Sequence, residues 1–115
     1  MEGLIRGGIY LARLDPAKGA EIGKLRPVAV LSAPEILDVD SPLLFVCPLS
    51  SRSEPRYASL HVTLPPRGDL KVESFALVEH CRAISRSRLC GPLIAQLDGS
   101  ELEMVLHRLL RLVGL

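Results

Sequence analysis

Helical periodicity is sustained in one place only, near the end of the chain. Asp98-Gly99-Ser100-Glu101 has the spacing of a capping box, in which an N-terminal side chain and a glutamate three residues on satisfy each other's backbone donors. Behind it Leu102, Val105, Leu106, Leu109, Leu110 and Val113 recur at i, i+3, i+4 and i+7, while Glu103, His107 and Arg111 fall outside that stripe. A terminal amphipathic helix is expected, and it needs a partner surface. The residues before it must supply one.

Upstream, apolar segments are short and cut by proline or glycine. Strands are expected at 8–14, at 27–32 with Pro27 in first place, and at 43–49, where LLFVCPL reads as a central strand buried on both faces. Pro48 suggests a bulge or an exposed end there. Further strands are expected at 60–64, from the alternation of Leu60, Val62 and Leu64, at 74–79, around 82–88 before a tight turn, and at 90–97. A single helical turn fits within 33–41. Residues 15–25 and 50–59 read as exposed, mobile loops. Five or six short strands and one terminal helix predict a mostly-β fold, a small barrel with a helix packed on it, in one domain spanning 1–115.

Composition narrows the function. With 48% hydrophobic and 23% charged residues the chain is globular rather than disordered. Fourteen basic residues against 13 acids leave a net charge of +1, which disfavours a protein that coats duplex nucleic acid. Eleven of the 14 are arginine, the side chain that grips phosphate with a forked pair of donors. Two tyrosines, two phenylalanines and no tryptophan supply few base-stacking platforms. No apolar run nears the ~20 residues of a membrane span, and the start lacks a signal-peptide core, so a cytoplasmic protein is expected. Cys47, Cys81 and Cys90 are odd in number and form no CxxC pair, which argues against a disulfide framework.

Nucleotide-binding, zinc-protease and nucleophile-elbow motifs are absent. A zinc set of Cys47, His80, Cys81 and Cys90 matches no usual spacing, and small buried cysteines are the commoner outcome. What stands out is Gly23-Lys24-Leu25-Arg26-Pro27 leading into a strand, and Leu49-Ser50-Ser51-Arg52 closing another. Pro27 restricts Arg26 to extended backbone and so fixes its direction. Read locally, Arg26 is a solvated residue at a strand entrance and Ser50 a turn hydroxyl bonding its own backbone. Arg82, Arg86 and Arg88 read equally as a solvated face or as phosphate contacts.

At these residues the chain resembles the MazF/PemK family of toxin endoribonucleases. The similarity opens at Arg6-Gly7-Gly8-Ile9-Tyr10-Leu11, continues through Leu14-Asp15-Pro16 and Gly19-Ala20-Glu21, and is most specific at Gly23-Lys24-Leu25-Arg26-Pro27-Val28. It resumes at Val46-Cys47-Pro48-Leu49-Ser50, at 74–84, and at Arg88-Leu89 with the terminal helix. The resemblance implies an SH3-like barrel that forms a homodimer and cuts single-stranded RNA without a metal or other cofactor. It also implies a cognate antitoxin whose acidic tail occupies the RNA site. The family's catalytic arginine falls on Arg26 and its catalytic threonine on Ser50; its later acid and arginine fall on Glu79 and Arg82. His80, beside that acid, joins Glu79 as a candidate acid–base or RNA-contacting residue. Glu21, Lys24, Arg52, Arg56 and Arg86 are expected on RNA-binding loops.

The chain departs from the family pattern at Ser50 for threonine, His80 for glutamine, Ala83 for threonine and Ser85 for aspartate. The reaction the resemblance implies is attack by the RNA 2′-hydroxyl, leaving a 2′,3′-cyclic phosphate and a 5′-hydroxyl. Two rival readings stay open: a non-enzymatic toxin of the CcdB type that binds DNA gyrase, and a catalytically degenerate interaction module.

Overall fold

The computed structural model describes residues 3–115. Its strands are β1 (Gly8–Arg13), β2 (Leu25–Val30), β3 (Leu43–Ser50), β4 (His61–Leu64), β5 (Ser74–Leu77), β6 (Arg82–Ser85) and β7 (Leu89–Gln96). A short helix α1 (Pro34–Asp38) joins β2 to β3, and α2 (Gly99–Leu112) ends the fold. All seven strands form one antiparallel sheet in the order β4-β5-β3-β2-β1-β7, with β6 also on β3. Its end strands β4 and β7 do not pair, so the sheet is barrel-like but open.

Alternation along the strands separates two apolar clusters. Ile9, Ala29, Leu31, Cys47 and Leu49 face one cluster with Val62, Leu64, Val78 and Val105 of α2. Tyr10, Ala12, Val28, Val30, Leu44, Val46 and Ile84 face the other, which Leu37 of α1 covers. The sheet therefore packs α2 on one face and α1 on the other.

β3 is central because both its edges are used. β2 pairs with Val46–Pro48 on one edge; on the other, β6 takes Leu43 to Val46 and β5 takes Leu49 and Ser50. Pro48 forms no bulge: it pairs in register with Val28, and its missing donor falls in the interval between the β6 and β5 ladders. Leu43 and Phe45 are exposed, so burial on both faces holds only for the second half of β3. Pro27 is not the first residue of its strand but the third. The ladder toward β3 starts only after it, as a residue without an N–H requires.

Other expectations shift by local geometry. Residues 55–60 form a 3₁₀ turn inside the supposed loop, and Leu60 belongs to it rather than to β4. β5 stops at Leu77, and a second 3₁₀ turn, Val78–His80, carries Glu79 out of the strand. In α2 the capping box is present, with Glu101 N donating to Asp98 Oδ1 at 2.8 Å and Asp98 N to Glu101 Oε1 at 3.0 Å. The apolar stripe runs past its support, however, leaving Leu110 and Val113 exposed. No described helix is long and apolar enough to cross a membrane.

Candidate functional site

Arg26 enters β2 from a turn that its neighbours shape. The Asp15 carboxylate accepts the Lys24 N–H at 2.9 Å, and Leu14 N donates to the Lys24 carbonyl at 2.8 Å. A side chain at Gly23 would collide with that carboxylate and crowd the Ala17 methyl at 3.1 Å, so only glycine lets the two segments close. The Gly23 carbonyl, thus placed, accepts Arg26 Nε at 2.9 Å. This bond orients the guanidinium and leaves its two terminal nitrogens, the fork that would meet an oxyanion, for other partners. From the other side, Arg88 Nη1 holds the base of the loop through the Arg13 and Asp15 carbonyls, at 2.9 and 2.6 Å.

Ser50 is brought toward this arginine by the pairing of β2 with β3. β2 and β3 pair Val28 with Pro48, Ala29 with Cys47 and Val30 with Val46. The ladder ends at Val28–Pro48, so Arg26 and Ser50 each lie two residues beyond it, on the side of the sheet that Val28 and Pro48 face, and neither lines the clefts described next. Arg82, paired with Val46, points to that face as well. Ser50 Oγ accepts the Arg52 N–H at 3.1 Å, which leaves its own hydrogen to donate elsewhere.

Two adjoining clefts flank the Glu79 turn. One, about 620 Å³, is lined in part by Arg52, Ser53, Tyr57, His61, Glu79 and His80. The other, about 260 Å³, is lined by Glu21, Ile22, Glu79, His80, Cys81 and Arg82. Five of the residues proposed from the sequence, Glu21, Arg52, Glu79, His80 and Arg82, therefore converge on one turn. Arg56 and Lys24 stand exposed, and the Arg56 guanidinium lies 5.9 Å from the Tyr57 ring centre. Arg86 does not join them within one chain. It follows β6, whose Ser85 pairs with Leu43, at the opposite end of β3 from Ser50, and its Nε donates to the Ser41 carbonyl at 3.3 Å.

The polar chemistry beneath the larger cleft was not visible in the sequence. Glu79 Oε2 lies 2.7 Å from His61 Nε2, and Ser53 Oγ lies 3.0 Å from His61 Nδ1. His61 is almost fully buried, with a side chain 3% exposed. Its position between a hydroxyl and a carboxylate fixes the ring and ties β4 to the Val78–His80 turn. Glu79 Oε1 and Arg82 Nη1 are buried and lack a hydrogen-bond partner. Such atoms cost folding energy unless something else satisfies them. Cys90 sits on β7 against Leu11, away from Cys47 and Cys81, so the zinc set drawn from the sequence does not assemble. No group of three or more potential ligands gathers among the described residues.

Known proteins share the sequence pattern and fold of this chain. Residues 5–113 match the family described as PemK-like, MazF-like toxin of type II toxin–antitoxin system. Endoribonuclease MazF of Staphylococcus saprophyticus subsp. saprophyticus is 31% identical over 85 residues, covering 73% of this chain and 70% of that protein. A crystal structure of MazF from Deinococcus radiodurans superposes with a TM-score of 0.80 at 32% identity, covering 95% of this chain and 94% of its own. MazF in a MazE–MazF complex from the same organism gives 0.73 at 30% identity, with 96% and 95% coverage. The open seven-stranded sheet with its terminal helix is thus shared with MazF, and the chain belongs to the PemK-like, MazF-like toxin family of type II toxin–antitoxin systems.

Proposed function

We propose that this protein is a toxin that cleaves single-stranded RNA in the cytoplasm, acting as a homodimer and restrained by a cognate antitoxin. What supports this reading is the β2–β3 register, beyond whose last pair Arg26 and Ser50 follow on the same side of the sheet. RNA brings its own nucleophile, the 2′-hydroxyl, so the enzyme has to align it, move two protons and stabilise charge at phosphorus. The forked terminus of Arg26 would hold the non-bridging oxygens as their charge grows, with Ser50 donating a further hydrogen bond. Glu79, which lines both clefts, would take the 2′-hydroxyl proton as the phosphorus–5′-oxygen bond breaks. The leaving oxygen takes up a proton and departs as a 5′-hydroxyl, leaving a 2′,3′-cyclic phosphate. His61 would hold Glu79 in place, and the clefts beside the Glu79 turn would receive the flanking nucleotides. A homodimer doubles these few phosphate contacts, which lets a nearly neutral chain hold RNA.

A donor aimed at developing charge is worth ~3–4 kcal/mol, about a hundredfold or more in rate. Arg26→Ala is therefore expected to lose at least a hundredfold of single-stranded RNA cleavage in EDTA while its circular dichroism stays unchanged. Undiminished cleavage by a folded Arg26→Ala removes this residue from the reaction. Primer-extension mapping on a long RNA, with analysis of the new ends, tests the reaction class in the same experiment.

A further inference from the structure

Beneath the sheet face opposite Arg26 lies a pair of thiols that the RNA chemistry does not use. β3 and β6 pair Val46 with Arg82, Phe45 with Ala83 and Leu44 with Ile84. Cys47 and Cys81 are the residues just beyond the last of these pairs, Cys81 closing the Val78–His80 turn. Cys47 belongs to the apolar cluster below α2 and Cys81 packs against the same cluster, close enough for the two thiols to influence each other's titration. A disulfide needs Cα atoms ~4.4–6.8 Å apart, a separation within reach of residues that flank the last pair of an antiparallel ladder. Both cysteines are reduced in this structure. Cys47 is fully buried, whereas Cys81 is half-buried and lines the smaller cleft with Glu21, Ile22, Glu79, His80 and Arg82.

We propose that Cys81 and Cys47 form a reactive dithiol that low-molecular-weight disulfides oxidise to an intramolecular disulfide, Cys81 serving as the entry point and Cys47 as the resolving thiol. The Cys81 thiolate attacks one sulfur of the incoming disulfide. That S–S bond breaks, and the leaving thiolate takes its electron pair and a proton. Cys47 gives up its proton, attacks the Cys81 sulfur of the mixed disulfide, and releases the second small thiol. Two protein thiols are oxidised and one small disulfide is reduced to two thiols. The order follows from access, since only Cys81 opens to a cleft. Its contact with Cys81 and its burial hold the Cys47 thiol well above the ordinary cysteine range, so Cys47 is a poor first attacker. The small cleft suits a compact disulfide. Cys90 is excluded by its place on β7.

The probe is 2-hydroxyethyl disulfide, applied to the full-length folded protein, followed by acid quenching, alkylation and intact mass. The wild type is expected to lose two hydrogens, and digestion should yield a peptide joining Cys47 to Cys81. Cys47→Ser, or Cys47→Ala if the serine variant does not fold, should instead retain one hydroxyethylthio group on Cys81. Cys81→Ser should leave Cys47 unmodified, and Cys90→Ser should behave as wild type. A wild type that keeps the mixed disulfide on Cys81, that links Cys81 to Cys90, or that leaves Cys81 unmodified overturns the proposal. None of these readouts depends on RNA cleavage.

Discussion

Two arginine–glutamate neighbourhoods in this molecule are built to opposite specifications. Arg67 and Glu101 close on each other: both terminal nitrogens of Arg67 meet the carboxylate, one of them at 2.7 Å to Oε2, and Arg67 Nε and Nη1 also donate to the Pro65 and Gln96 carbonyls at 2.9 and 3.2 Å. Glu101 serves the capping box of α2 as well, so the pair clamps the helix to the loop after β4. Glu79 and Arg82 are as close in sequence as residues of one turn, yet each keeps a buried polar atom without a partner. The first neighbourhood spends its hydrogen-bonding capacity on the fold; the second leaves part of it open. An unpartnered buried donor costs about 1–3 kcal/mol, so these atoms are a burden to the fold alone, in keeping with the proposed RNA site.

The comparison breaks most visibly if mutations do not separate activity from stability. Glu79→Gln keeps the shape and the hydrogen bond to His61 but removes the proton acceptor. A loss of about a hundredfold in kcat for RNA cleavage is expected, with a thermal midpoint near that of the wild type. Retention of full activity would move the base elsewhere, His80 being the neighbour to test. Arg82→Met sharpens the contrast further. It removes a half-buried guanidinium with one buried, unbonded nitrogen, so cleavage is expected to fall about tenfold while the thermal midpoint holds or rises.

Glu101→Gln is expected to do the reverse. Hydrogen bonding to Arg67, then the backbone bond at Asp98, hold the Glu101 carboxyl below the usual carboxylate range. A carboxylate with a lowered folded-state pKa contributes stability at all pH values above its unfolded pKa and loses that contribution as pH falls through the folded value. Acid should therefore destabilise the wild type below pH ~4, and Glu101→Gln should flatten that part of the curve. At pH 7 the substitution is expected to cost about 1–2 kcal/mol, a fall of several degrees in midpoint, with RNA cleavage at 25 °C unchanged. Urea titrations of both proteins between pH 3 and 7 check the sign directly.

These two neighbourhoods also differ in how far a sequence discloses them. The capping box is local: its partners are three residues apart, and the helical stripe behind it marks the element unambiguously. Arg26 and Ser50 are separated by 24 positions, yet they became candidates because turn chemistry at Gly23–Pro27 and a hydroxyl closing an apolar strand are both local patterns, reinforced by the family resemblance. The Ser53–His61–Glu79 chain had no such signal. His61 opens a strand of ordinary alternation, Ser53 sits among other polar residues, and only the pairing of β4 with β5 brings His61 to the Glu79 turn. That turn was itself misread as strand, because SFALVE alternates plausibly and nothing local shows that β3 changes partner from β5 to β6 at this point. Pro48 carried the information, as the residue that cannot serve a ladder, but a bulge explains a strand proline equally well.

The smallest expected effect concerns the far end of α2, where the sequence pattern outran the packing. Val105 is fully buried against β4 and the Glu79 turn, whereas Val113 is 64% exposed although both belong to the same apolar stripe. Periodicity reports which face a residue lies on; it carries no information about how far the opposing surface extends. Val105→Ala should therefore cost about 2 kcal/mol through lost apolar contact and the space left behind. Val113→Ser should change the stability of the isolated chain by less than ~0.5 kcal/mol. Equal effects at the two positions, measured at micromolar concentration by urea unfolding, would mean that a second surface covers the helix end in solution. A dependence of the Val113→Ser effect on protein concentration would identify that surface as another copy of this chain, since only an intermolecular contact makes stability follow mass action.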